Sequence, residues 1–97
     1  MANVTFGDFE WDSNKSEANR EKHAIDFEEA VEIFDAPYLK VRTDRDGEIR
    51  WVGLGKAKAR LVAVIFTERA GRIRIISARR ARKKERETYE ERIGDTS

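Results

Sequence analysis

Cysteine is absent from the 97 residues. Disulfide frameworks, thiolate nucleophiles and cysteine-based zinc sites are thereby excluded. A single histidine, His23, excludes a multi-histidine metal site. No apolar run approaches the roughly 20 residues that span a bilayer. The N-terminus lacks the basic, apolar and small-residue pattern of a secretory signal. Repeats, low-complexity segments and internal linkers are missing too. The length supports one domain, with 1–8 as a lead-in and 94–97 as a tail. These absences point to a small soluble domain, expected in the cytoplasm.

Charge is what the chain has in abundance: 40% of its residues are Asp, Glu, Lys or Arg, yet the net charge is only +1. The balance is uneven along the chain. Residues 1–48 hold 13 acidic and 6 basic side chains, and residues 49–97 hold 14 basic and 6 acidic. From Arg69 to Arg86 there are nine Lys or Arg and a single acid, Glu85. Such a stretch attracts a polyanion, RNA above all. A solvated face opposite an acidic protein partner is the alternative.

Hydrophobic periodicity supplies the elements. Phe9-Glu10-Trp11 alternates as a short strand does. Asp12 or Ser13 caps a helix over 13–23, whose polar composition predicts weak packing. Asp26 and Glu29 resemble a capping box, and Phe27, Ala30, Val31 and Phe34 make one apolar stripe, so 26–35 is predicted as a helix that ends before Pro37. Residues 38–43 form a strand and 44–47 a turn. A second strand runs from Ile49 to Leu54 and stops at Gly55, with a reversal at 56–58. Leu61–Phe66 is apolar throughout, as a central strand is. After Ala70-Gly71, residues 72–77 alternate as a fourth strand of the series. Residues 81–93 lack Gly and Pro and form a terminal helix with Tyr89 and Ile93 as its docking face. The prediction is an α+β fold: an antiparallel sheet, made of a four-stranded C-terminal meander plus a short N-terminal strand, with two N-terminal helices and one C-terminal helix.

Three blocks of these residues resemble the BrnT toxins. The first is Phe9-Glu10-Trp11-Asp12 with Lys15, Asn19 and residues 22–30. The second is Arg50-Trp51 followed by Gly55. The third is residues 76–81 with Glu85, Arg86 and Tyr89. The resemblance implies a RelE-like fold and a ribonuclease toxin of a type II toxin–antitoxin pair that arrests translation. It implies a BrnA-type antitoxin with a ribbon-helix-helix domain, through which the complex binds its own promoter DNA. One position departs from the family pattern: Ala24 stands where glycine usually follows the Lys-His pair. If the backbone there needs a positive φ, alanine costs about 1 kcal/mol.

Cutting RNA without a metal or other cofactor needs a base for the 2′-hydroxyl, cations for the transition state and an acid for the leaving oxygen. Arginine suits the middle role, since its planar fork binds two phosphate oxygens and stays charged. Arg79, at a strand end before the last helix, leads the candidates, with an ion pair to Glu85 as its structural alternative. Arg50 follows, beside Trp51, on whose indole a base can stack. Arg69, Arg72, Arg74, Arg80 and Lys22 are candidate backbone contacts. His23 is the natural base by its ordinary pKa, although a histidine at a helix end also caps carbonyls. Glu85 becomes a base if burial raises its pKa, and otherwise orients an arginine. Tyr89 offers a phenol or serves packing. Asp44, Asp46 and Glu48 lack the spacing of a cation loop and read as a hairpin turn. The competing function is a non-catalytic basic module that binds a protein partner or nucleic acid.

Overall fold

Short carboxylates start the first two helices by satisfying amides that the helix cannot. In the computed structural model, which describes residues 3–94, Asp12 accepts from the Asn14 amide at 2.8 Å and opens α1 (Ser13–His23). Asp26 accepts from the Glu29 amide at 2.8 Å and opens α2 (Phe27–Ala30). The predicted helix over 26–35 divides here. After Ala30 the chain tightens into a 3-10 turn, Val31–Asp35. The tighter winding buries Ile33 completely, while Phe34 is only partly covered. Ala36, before Pro37, is extended at φ −142°, as the proline ring requires.

Six strands form one sheet: β1 (Asn3–Phe6), β2 (Phe9–Asp12), β3 (Leu39–Arg45), β4 (Glu48–Ala57), β5 (Arg60–Arg69) and β6 (Arg72–Arg80). Their spatial order is β1-β2-β6-β5-β4-β3. The meander β3–β6 is antiparallel, as the short reversals require. Two features differ from the sequence reading. The sheet is mixed, because β2 lies parallel to β6. Residues 3–6, read as lead-in, form an outer strand antiparallel to β2. Residues 1–2 and the tail beyond Gly94 lie outside the described residues.

The meander strands are also longer than read. Each reversal is two residues with positive φ: Asp46-Gly47 at 51° and 78°, Lys58-Ala59 at 49° and 64°, Ala70-Gly71 at 49° and 80°. Such turns match the twist of the flanking strands, so pairing continues to the last residue on either side. β4 runs straight through Gly55 instead of ending there. A Cβ on Gly55 would meet the Ile33 Cβ at 2.8 Å and the Tyr38 Cβ at 3.1 Å. Glycine at that point lets the 3-10 turn rest on the sheet.

α1, α2 and the 3-10 turn cover one face. Trp11, Ile25, Phe27, Ile33, Val64 and Phe66 are buried beneath them. α1 attaches by hydrogen bonds rather than by an apolar stripe. The buried Asn19 amide donates to the carbonyls of Ile25 and Ala78 at 2.8 Å each and accepts from the Ala78 amide at 3.2 Å. On the opposite face α3 (Lys83–Arg92) covers only one end, seating Tyr89 and Ala81 against Leu54 and Ala63. Among the described residues nothing covers the rest of that face.

A bulge sets the phase of β6. Phe66 pairs with Ile75 and Ile65 pairs with Ser77, leaving Ile76 as the extra residue.

Candidate functional site

Alternation along the strands decides which side chains meet on the open face. Arg50, Val52 and Leu54 of β4 face away from α1 and α2. Thr43 and Val41 of β3 share that face, being paired with Arg50 and Val52. Ile65 comes from β5, Ser77 is its partner on β6, and Arg79 lies two residues further on. Arg82, in the link to α3, closes one end. Together these residues bound a cleft of about 450 Å³, with Arg45, Arg50, Arg79 and Arg82 around it, Thr43 and Ser77 between them, and Val52 and Ile65 also in its lining.

Two of the four arginines are held by carboxylates. Arg79 donates from Nη1 to Glu85 Oε1 at 2.8 Å and from Nη2 to Glu85 Oε2 at 2.9 Å, a bidentate fork. Glu85 Oε1 also accepts from the Arg82 amide at 2.8 Å, which fixes the start of α3. The hydrogen bonds from Arg79 hold the Glu85 carboxyl below the usual carboxylate range, and the Arg82 amide adds to this against the opposing effect of desolvation. The same contact raises the Arg79 pKa further. Arg50 donates from Nε to Glu48 Oε1 at 2.7 Å, and that bond holds Glu48 low in its turn. Among the described residues no carboxylate pairs with Arg45 or Arg82. Among the described residues, two of the four guanidinium groups are thus engaged by a carboxylate within ion-pair distance and two are not.

The structure brings Arg50, Arg79 and Glu85 together. Other candidates lie elsewhere. Arg74 shares the open face but sits towards β2, donating to Glu10 Oε2 and Asn3 Oδ1 at 2.9 Å each. Arg69 and Arg72 flank the β5–β6 turn. Arg69 is 3.6 Å from Glu48 Oε2, and Arg72 donates to the Gly7 carbonyl at 2.8 Å. Arg80 pairs with Val62 and so belongs to the helix-covered face. Lys22 and His23 end α1 in the helical layer, across the sheet from the cleft. Trp51 also faces that layer, packed on the core with Lys40 Nζ 4.2 Å from its ring centroid, so its indole is not beside Arg50 in the cleft. Tyr89 is buried beneath α3. Glu85 does not show the raised pKa that a base needs; its geometry is that of a carboxylate orienting an arginine.

Arg45, Arg82, Thr43 and Ser77 escaped the sequence reading. For Arg45 a signal existed. Asp46-Gly47 is a two-residue hairpin turn, and such a turn keeps Arg45 within the strand, two residues from Thr43 on one face.

The sequence profile of the BrnT ribonuclease toxins of type II toxin–antitoxin systems matches residues 11–85. The chain belongs to the BrnT family. The match runs from the end of β2 to the first residues of α3 and includes all of the meander and the link to α3, which build the cleft. A type II toxin has a cognate antitoxin, so this BrnT chain has a protein partner as well as an RNA substrate. No curated protein matches it individually. Among the described residues no helix is long and apolar enough to cross a membrane. Nor, among those residues, do three or more His, Asp or Glu side chains gather where they could hold a metal ion.

Proposed function

We propose that the arginine cleft is where this BrnT toxin cleaves RNA, by metal-independent, RelE-like chemistry. The observation that carries the reading is the convergence of Arg45, Arg50, Arg79 and Arg82 on one cavity, with hydroxyls of Thr43 and Ser77 between them. Planar donors around a pocket suit the charge that develops on a phosphorane-like transition state. In this scheme the scissile phosphate displaces Glu85 from Arg79. Arg79 and Arg50 then hold its non-bridging oxygens, while Arg45 and Arg82 hold the flanking backbone, with Arg69 and Arg74 further along the same face. The 2′-oxygen attacks phosphorus, the bond to the 5′-oxygen breaks, and a 2′,3′-cyclic phosphate remains. Glu85, released from the two hydrogen bonds that lower its pKa, takes the 2′-hydroxyl proton, and solvent protonates the departing oxygen. His23 takes no part from the helical layer, and Tyr89 serves by seating α3.

A BrnA-type antitoxin with a ribbon-helix-helix domain neutralises the toxin in this reading. An acidic segment occludes the cleft, and the complex meets promoter DNA through the antitoxin. The second reading is a binding module that cuts nothing. It is favoured by one observation: among the described residues, the only carboxylate on Arg79 is held below its usual pKa, which makes it a weak base at rest.

The test is purified protein and a labelled single-stranded RNA, with and without EDTA, beside Arg79→Ala. The ribonuclease reading expects cleavage that survives EDTA, leaves cyclic phosphate and falls about 100-fold or more in the variant. Full cleavage by a folded Arg79→Ala protein would sink it. Arg79-dependent RNA binding with no cleavage establishes the binding module instead.

A further inference from the structure

A second cavity adjoins the cleft. It measures about 290 Å³ and lies between β3, β4 and α3, bounded by Val41, Val52, Leu54, Lys84, Glu85 and Thr88. Its surface is largely carbon. Val52 lines both cavities, and Glu85 borders this one while its carboxylate grips Arg79 in the other. We infer that this apolar pocket receives a nucleobase of the RNA strand whose phosphate lies on Arg79. The inference rests on the ribonuclease reading above and adds to it a site of base selection.

Three observations carry it. The first is adjacency: one side chain, Val52, separates a phosphate-binding surface from an apolar slot, which is how phosphate and base are disposed in a single nucleotide. The second is Val41, which is 51% exposed on an edge strand. Edge strands ordinarily carry charge at such positions, and an apolar floor beside a phosphate site suits the face of a base. The third is the rim. The Thr88 hydroxyl donates to the Lys84 carbonyl and keeps its own acceptor capacity. The Lys84 ammonium, exposed at the mouth, is placed for a neighbouring phosphate. A rim of mixed donors and acceptors around a carbon floor fits a base edge better than an aliphatic side chain.

The experiment is a cut-site profile on a randomised single-stranded RNA pool for wild type, Thr88→Trp, which fills the pocket, and Val41→Asn, which makes its floor polar. Arg79→Ala is the control for the cleft. The expected result is a base preference at one position beside the scissile bond in wild type, reduced at least fivefold in Thr88→Trp and weakened in Val41→Asn. The same pocket predicts at least a tenfold loss for wild type when that one nucleotide is made abasic, and a much smaller loss for Thr88→Trp. Arg79-dependent cleavage with an unchanged profile in both pocket variants overturns the inference and leaves the ribonuclease reading standing. An unchanged profile together with lost neutralisation by the antitoxin assigns the pocket to the protein partner and overturns it as well. If wild type neither binds nor cuts RNA in an Arg79-dependent way, both readings fall together.

Discussion

Replacing Glu85 with Gln removes a negative charge from a side chain that three hydrogen bonds hold in place. Because the folded Glu85 pKa lies below its ordinary value, the pair stabilises the fold above roughly pH 4.3, the ordinary glutamate value. That contribution is lost as pH falls through the folded pKa. The stability gap between wild type and Glu85→Gln is therefore expected to be largest near neutrality and to close in acid. Its size is about 1 kcal/mol or less, because both side chains keep roughly a fifth of their surface in solvent. Melting temperatures across that range measure it, and a gap that widens in acid would refute the sign. Ala24 makes a second case at this scale. It caps α1 with φ 60° and ψ 30°, and its amide donates to the Arg20 carbonyl at 2.8 Å. The left-handed cap that the family's usual glycine suggests is present, with a residue that dislikes it. Ala24→Gly is expected to stabilise the protein by about 1 kcal/mol in urea denaturation.

Elements show where composition misleads. Over residues 13–23 the side chains are almost wholly polar, and a weakly packed helix follows from counting them. α1 is nevertheless fastened, since a buried amide side chain joins it to the following loop and to β6. Asn19 was legible as part of a family block, but its three bonds depend on where Ala78 comes to lie, 59 residues away. Gly55 was legible as a glycine and misread as a strand end, because what it accommodates is a turn beginning more than 20 residues earlier. The two β4 glycines are expected to differ under substitution. A Cβ on Gly53 meets the flexible tip of Ile33 at 2.9 Å, whereas on Gly55 it meets the Ile33 Cβ at 2.8 Å and the Ile33 carbonyl at 3.3 Å. Gly55→Ala should cost about 2–3 kcal/mol and Gly53→Ala about 1 kcal/mol. Equal losses in a chemical denaturation series would refute the account.

At the scale of the whole molecule, an acidic groove and a basic cleft lie on opposite faces of the sheet. Glu28, Glu32 and Asp35 border a groove with Phe6 and Phe9 on the helical side, and the arginine cleft occupies the other. The basic run was readable from residue counts, and the strands that carry it from their period. The parallel neighbour of β6 was not readable, because β2 and β6 are separated by the helices and the rest of the meander and no local pattern encodes their pairing. The partition has a measurable outcome. RNA affinity should fall with salt, and each cleft arginine replaced by alanine should reduce the slope of log K against log salt by about 0.7. Arg80→Ala, on the other face, should leave the slope unchanged, and a titration series from low to moderate salt compares them.

The extra residue in β6 works as a parity bit. Arg74 and Arg79 are an odd number of positions apart, so a regular strand would show them to opposite sides; Ile76 restores agreement. The two segments of β6 therefore keep separate counts, each correct only relative to the bulge between them. Loss of one residue there would leave every amino acid of the cleft in the gene and still turn Arg79 towards the helical core. Gain or loss of two would keep the count. For this strand, length change is constrained in steps of two, a rule that no single substitution reveals.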